Sequence, residues 1–345
     1  MPVALPRALP PMEGFALETR SGLIFTVKGG VHPPDRTVAY LRYVPDPAGE
    51  RGAGRHRYRR VYRFEEQQAV LRAQTEDYLI DDPVFGVRVQ AVPTHDVACV
   101  YDPRRRLRQV EEEGPAEALE EAALTLSELL RVSAGVHPSA LGLTGSLLVR
   151  LQNESSDIDI VVYDDAQCRA VHAALADLLA RPAGPIRRPR AEELTAIHRA
   201  HSVDTPLSAA AFAAAQARKV NEGRFGARPY FIRFVKLPAE TGERYGDPRY
   251  EPCGSATVLA RVEDAADALF TPCRYVVRDA HIVAKGPARD LLSIVSFRGR
   301  FADQAREGEQ VIAHGALERV VPRAAAPSYR LVVGGRPGDY LARRE

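Results

Sequence analysis

The four cysteines, Cys99, Cys168, Cys253 and Cys273, never fall close together in the chain. That scatter excludes the paired thiolates of a zinc site, and with no secretory leader in view it reads as four free thiols in a cytoplasmic protein. Long hydrophobic runs are also missing. The opening MPVALPRALPPMEG is apolar but broken by prolines, so it reads as a frayed tail, neither a leader nor a membrane span. Neither sign of charge is in excess. Forty-seven basic residues against forty-five acidic ones leave a formal +2, which neither demands nor excludes a polyanionic partner. Lysine is scarce: Lys28, Lys219, Lys236 and Lys285 are the full set, so arginine carries nearly all the positive charge. What remains is 345 residues with 45% hydrophobic content, enough for two or three packed regions.

Residues 17–44 contain two short apolar runs, GLIFTVKG and TVAYLRYV, rich in branched and aromatic residues and divided by Gly29-Gly30 and Pro33-Pro34. They predict strands. A basic stretch follows, with Arg51, Arg55, Arg57, Arg59 and Arg60 interleaved with Tyr58 and Tyr62. Such a run either tracks a phosphate backbone and stacks a base or is a solvated loop. A helix over 65–73 and a strand-like DPVFGVRVQAVP complete a β-rich region ending at Gly114-Pro115. Beyond it, Leu119, Ala123, Leu126 and Leu130 recur at helical spacing, as do Cys168, Val171, Leu175 and Leu178 over 166–180, before Pro182. Further helices are expected over 191–200 and 207–221. Arg218-Lys219 closes the second of these, suiting the helix dipole or, alternatively, a triphosphate or template. A strand is expected over 230–237.

Between the two striped helices lies LGLTGSLLVRLQNESSDIDIVVY. Leu141, Leu143 and Thr144 read as the end of a buried strand, Gly145-Ser146 as a sharp turn, and 157–163 as a second strand. Period-two alternation puts Asp157 and Asp159 on one face, roughly 6–7 Å apart along the strand. Two carboxylates so close repel, and a divalent cation between them resolves the repulsion. Oxygen ligands suit Mg2+ or Mn2+. Arg150, between turn and acids, is a candidate phosphate contact or a solvated side chain.

These residues resemble the motif of the DNA polymerase beta-like nucleotidyltransferase superfamily: Gly145-Ser146, ten residues between Ser146 and Asp157, then Ser156-Asp157-Ile158-Asp159 and the apolar Ile160-Val161-Val162. The resemblance covers a minority of the chain. It implies that Gly145 and Ser146, with Arg150, bind the triphosphate of a nucleotide, and that Asp157 and Asp159 bind the catalytic metal. Members usually carry a third carboxylate on a later strand. YFIRFVKL has none there; it offers Arg233 or Lys236 instead, and Asp204 and Glu222 are the nearest acids ahead of it.

The last hundred residues form five strand-like segments punctuated by glycine and proline. SFRGRFADQAREGEQVIAHGALERV looks like an oligonucleotide-binding (OB) barrel, with Arg298 and Arg300 as nucleic-acid contacts and Phe297 and Phe301 as stacking residues or core. The fold class expected is α+β: a β-rich region over 1–114, a nucleotidyltransferase core over 115–245, and a small β-barrel over 246–345. The activity implied is metal-dependent transfer of a nucleotidyl group from a nucleoside triphosphate to an acceptor hydroxyl, on an RNA or DNA end, with no membrane involved. Two alternatives stand: a catalytically silent nucleic-acid-binding or nucleotide-sensing protein, and a transferase acting on a small molecule or protein.

Overall fold

Alternation in the segment IDIVVY sets the architecture. In the computed structural model, which describes residues 10–344 apart from 55, 75, 284 and 289, Ile158–Tyr163 is a strand with its two faces in different cores. Ile158, Ile160 and Val162 pack against Leu119, Ala123, Leu126 and Leu130 of the helix Ala118–Ala134 and against Cys168, Val171, Leu175 and Leu178 of the helix Asp165–Ala180. These are the two stripes that the helical spacing predicts. Val161 and Tyr163 face the other way, onto Met12, Phe15, Leu17, Phe25 and Leu41.

The strand belongs to a five-stranded sheet in the order Ile186–Arg187, Glu222–Phe225, Arg228–Val235, Ile158–Tyr163, Leu141–Leu143. Ile158–Tyr163 and Arg228–Val235 run parallel, and the other neighbours are antiparallel. The helix expected over 207–221 is shorter, Ala209–Gln216, because residues 222–225 are drawn into the sheet, with Gly226 at a φ of 55° in the turn back to Arg228. The helix Pro103–Glu113 adds Leu107 and Val110 to the helix-side core. Central packing therefore takes in residues ahead of the break expected at Gly114-Pro115.

On the opposite face lies an eight-stranded antiparallel sheet that includes Ala16–Thr19, Ile24–Val27, Arg36–Pro45 and His56–Arg60. The carboxy-terminal region is a seven-stranded sheet. Its pairings run from Arg249–Asp264 to Cys273–Ile282, Leu291–Ser296, Ser328–Val332 and Gln310–Val321, which pairs again with Arg249–Asp264. Val258, Tyr275, Ile294, Phe301 and Leu331 fill its core. The class is α+β, as expected. Among the described residues, no helix is long and apolar enough to cross a membrane.

The amino-terminal segment corrects one expectation. Residues 1–9 lie outside the described residues, but the end of the same stretch is no frayed tail: Met12, Glu13 and Phe15 are each 1% exposed. The Glu13 carboxylate accepts hydrogen bonds from Arg233 Nη1 at 3.0 Å, Lys28 Nζ at 3.3 Å and the Gly29 N–H at 2.9 Å. Its carbonyl accepts from the Tyr163 hydroxyl at 3.0 Å, and the Gly14 carbonyl accepts from Thr144 Oγ1 at 2.6 Å. Gly14 has a φ of 97°, and a Cβ there would sit 2.8 Å from the Tyr163 hydroxyl oxygen, so the close passage requires glycine. Glu13 thus ties the amino-terminal sheet to the central one. Glu13→Ala, which leaves Arg233 and Lys28 without their shared carboxylate, is expected to lower stability in urea denaturation by roughly 3 kcal/mol. Glu13→Gln, which can still accept from Gly29, should lose less.

Candidate active site

The short strand Leu141–Leu143 ends at Thr144, whose N–H donates to the Asp159 carbonyl at 3.0 Å. Gly145 then turns the chain, with a φ of 63°, into the four-residue helix Gly145–Leu148, where Ser146 is buried. A Cβ on Gly145 would lie 2.0 Å from Asp159 Oδ2. The carboxylate therefore rests directly on the turn, an approach that only glycine permits. Gly145, Ser146 and Asp159 are thus brought together. Asp157 is exposed and stands immediately ahead of the strand, two residues before Asp159.

The loop between turn and acids is braced from the amino-terminal sheet. Arg51, 5% exposed, donates from Nη1 to the Leu151 carbonyl at 2.8 Å, and Ser156 Oγ accepts from the Asn153 N–H at 3.0 Å. The basic run in which Arg51 stands does not act as one surface. Arg57 donates to the Gly49 carbonyl at 2.9 Å, Arg59 pairs with Asp46 and Glu66, and Arg55 lies outside the described residues. Arg150, expected at the phosphates, forms an exposed ion pair with Glu113 at 3.6 Å; its φ of 56°, where the short helix ends, is the left-handed conformation.

Burial pushes the Asp159 carboxyl from its ordinary 3.8 up to about 7, with Asp157 adding repulsion and Arg233, Arg42 and Arg60 opposing it. The charge of a divalent cation between the two acids would offset both causes of the rise. The fit to Mg2+ is good on chemistry: this ion is commonly held by one or two carboxylates, with substrate phosphates and water completing the shell. Among the described residues no group of three or more His, Cys, Asp or Glu is placed to hold a metal, so the remaining ligands would come from outside the chain.

The strand Arg228–Val235 brings a cation, and no carboxylate, to the acid face. Phe231 pairs with Asp159 and Arg233 with Val161 across the parallel strands, so Arg233 shares the acid face and is bound to Glu13. Lys236 turns to Asp267 at 2.6 Å and Asp165 at 3.4 Å. Glu222 lies in the same cross-strand row as Asp159, with Phe231 between them, hence about 9–10 Å away at the usual strand spacing. It pairs with the buried Lys219 at 3.3 Å, while Arg218 pairs with Glu309 at 2.8 Å. The Arg218-Lys219 pair is thus structural.

Asp204 is likewise taken. It accepts from Arg298 at 3.0 Å and from Arg300 at 2.6 Å, so the two arginines expected to meet nucleic acid share one internal carboxylate. Phe301 is core, at 1% exposure, whereas Phe297 is 37% exposed. The loop that carries them still reaches the acid face: a Cβ on Gly299 would lie 2.4 Å from Phe231 Cζ. Sequence reasoning missed Arg42 and Glu13. Arg42 follows Leu41, a buried core residue, in the strand Arg36–Pro45, and that alternation was the available signal.

An uncharacterized protein of Methanocaldococcus jannaschii is 28% identical over 333 residues, which cover 92% of this chain and 94% of that protein. The similarity therefore spans all three regions. No protein-family model matches the chain, and no solved structure does.

Two outcomes follow from this geometry. Gly145→Ala should both destabilise the protein and displace the acid, because the new methyl overlaps Asp159 Oδ2 at a positive φ. The raised Asp159 carboxyl makes the folded protein hold an extra proton between about pH 4 and 7, so stability falls as pH rises through that window. Asp159→Asn should therefore melt higher than the native protein at pH 8, by roughly 1–3 kcal/mol once solvent screening is allowed for, and the gain should vanish near pH 4.

Proposed function

We propose that the protein is a metal-dependent nucleotidyltransferase that moves a nucleotidyl group from a nucleoside triphosphate to an acceptor hydroxyl on an RNA or DNA end, releasing pyrophosphate. The observation that carries this reading is the contact between the Gly145 turn and the Asp159 carboxylate. It sets backbone N–H groups suited to phosphate oxygens beside an acid suited to the cation that accompanies them. The five-stranded central sheet with helices on one face supports a polymerase beta-like core. The returning ring of pairings after residue 249 supports a small five-stranded barrel of the OB kind.

In this reading Asp157 and Asp159 hold Mg2+ or Mn2+, which when bound supplies positive charge to the attacking and leaving oxygens. The chain does the rest. Gly145 and Ser146 fix the phosphates, Arg51 and Ser156 keep the acid-bearing loop in place, and Arg42, Arg60 and Arg233 balance charge on the acid face. With all four cysteines free, a cytoplasmic setting is part of the same proposal. Arg233 at the third-acid neighbourhood favours a second reading, a silent nucleotide- or nucleic-acid-binding protein on the same scaffold.

The deciding measurement is pyrophosphate release from each ribonucleoside and deoxyribonucleoside triphosphate with Mg2+ or Mn2+ and mixed short RNA and DNA acceptors. Release that Asp157→Ala and Asp159→Ala each reduce by ~10³-fold or more, about 4 kcal/mol of transition-state stabilisation, is the expected result. Nucleotide binding with no release from any triphosphate would select the silent reading.

A further inference from the structure

Strand pairing sets Arg42 beside Arg60. Tyr43 is the cross-strand partner of Arg60, and the Val61 N–H donates to the Arg42 carbonyl at 2.9 Å. The chain then presents Tyr62 against both guanidiniums, with Arg42 Cζ 4.7 Å and Arg60 Cζ 5.4 Å from the ring centroid. Tyr62 is 52% exposed, against 38% for Phe64 and 37% for Phe297. Among the described residues, neither guanidinium forms an ion pair; the nearby Glu50 carboxylate accepts from the Arg60 backbone N–H at 3.4 Å. Two like charges held side by side with no directly paired acid, and only the more distant Asp159 to offset them, raise the energy of the free protein, and a bound anion relieves it.

The carboxy-terminal loop adds to the same field. Although burial works the other way, Arg300, Arg42, Arg298 and Arg60 together draw the Tyr62 phenol below its ordinary range. Arg298 and Arg300 share the single carboxylate of Asp204, which leaves a positive excess. Arg42 and Arg60 also act on Asp159, so the cluster borders the acids.

We propose that Tyr62, Arg42 and Arg60 form the platform that holds the single-stranded end of a nucleic-acid acceptor, one base stacked on the tyrosine ring and the flanking phosphates paired to the two guanidiniums. The acceptor role rests on the nucleotidyl-transfer reading; the platform rests on its own geometry. An exposed aromatic ring flanked by arginines is the combination by which single strands are held without regard to sequence. A free triphosphate already has the Gly145 turn.

The test is fluorescence anisotropy with labelled single-stranded RNA and DNA oligonucleotides, using the full chain in EDTA so that transfer is silent. Binding should weaken with salt. Tyr62→Leu should weaken it roughly 10- to 100-fold with little change in salt slope, while Tyr62→Phe, which keeps the ring, retains it. Arg42→Ala with Arg60→Ala should lower the slope of log affinity against log salt by about 1.4. Oligonucleotide binding unaffected by all three changes overturns the proposal. So does a rise in triphosphate KM in Tyr62→Leu with oligonucleotide affinity unchanged, which would assign the platform to the nucleotide. Tyr62-dependent oligonucleotide binding without pyrophosphate release from any triphosphate sinks the transfer reading and leaves the platform standing.

Discussion

The strand Ile158–Tyr163 can slide in neither direction, because each of its faces is committed to a different core. A one-residue slip would put Asp159 among the leucines of two helices and Ile160 against the amino-terminal sheet. This double commitment anchors the acids at its leading end. It also explains how a half-buried carboxylate is tolerated beside a second one: the strand is held by apolar packing all along its length, and the unfavourable charge is confined to one end.

Three sheets converge on that end, and each contributes charge of a different kind. The central sheet supplies Asp159 and Arg233. The amino-terminal sheet supplies Arg42 and Arg60, and through Glu13 it fixes Arg233 by a buried ion pair. The carboxy-terminal region brings Gly299 onto Phe231, and the charge of its arginines acts on Tyr62. The face thus carries a positive rim around the Asp159 carboxylate. Such a rim attracts anions, and that attraction weakens with ionic strength.

Local pattern made much of the middle of the chain legible. The stripes Leu119-Ala123-Leu126-Leu130 and Cys168-Val171-Leu175-Leu178 marked two helices because a helix buries every third or fourth residue whatever it packs against. The meeting of Gly145 with Asp159 joins a turn and an alternating strand that are close together in sequence. Glu13 was read as part of a tail because its partner Arg233 stands 220 positions away. Arg298 and Arg300, expected as nucleic-acid contacts, share a carboxylate that sequence pattern does not reveal for the same reason, Asp204 being more than ninety positions distant. Arg150 was placed at the phosphates by proximity in sequence, whereas its left-handed backbone accompanies an ion pair with Glu113.

The amino-acid sequence by itself determined the two striped helices, the alternating strand between them with its apolar faces, and the glycine turn that precedes its aspartates. Those properties are local, set by backbone periodicity and the lack of a Cβ. Only the tertiary structure decided which of the chain's many arginines face the acids and which are spent on internal carboxylates. Charge pairing depends on distance in space, and here it joins residues up to 220 positions apart, a separation over which sequence pattern carries no information.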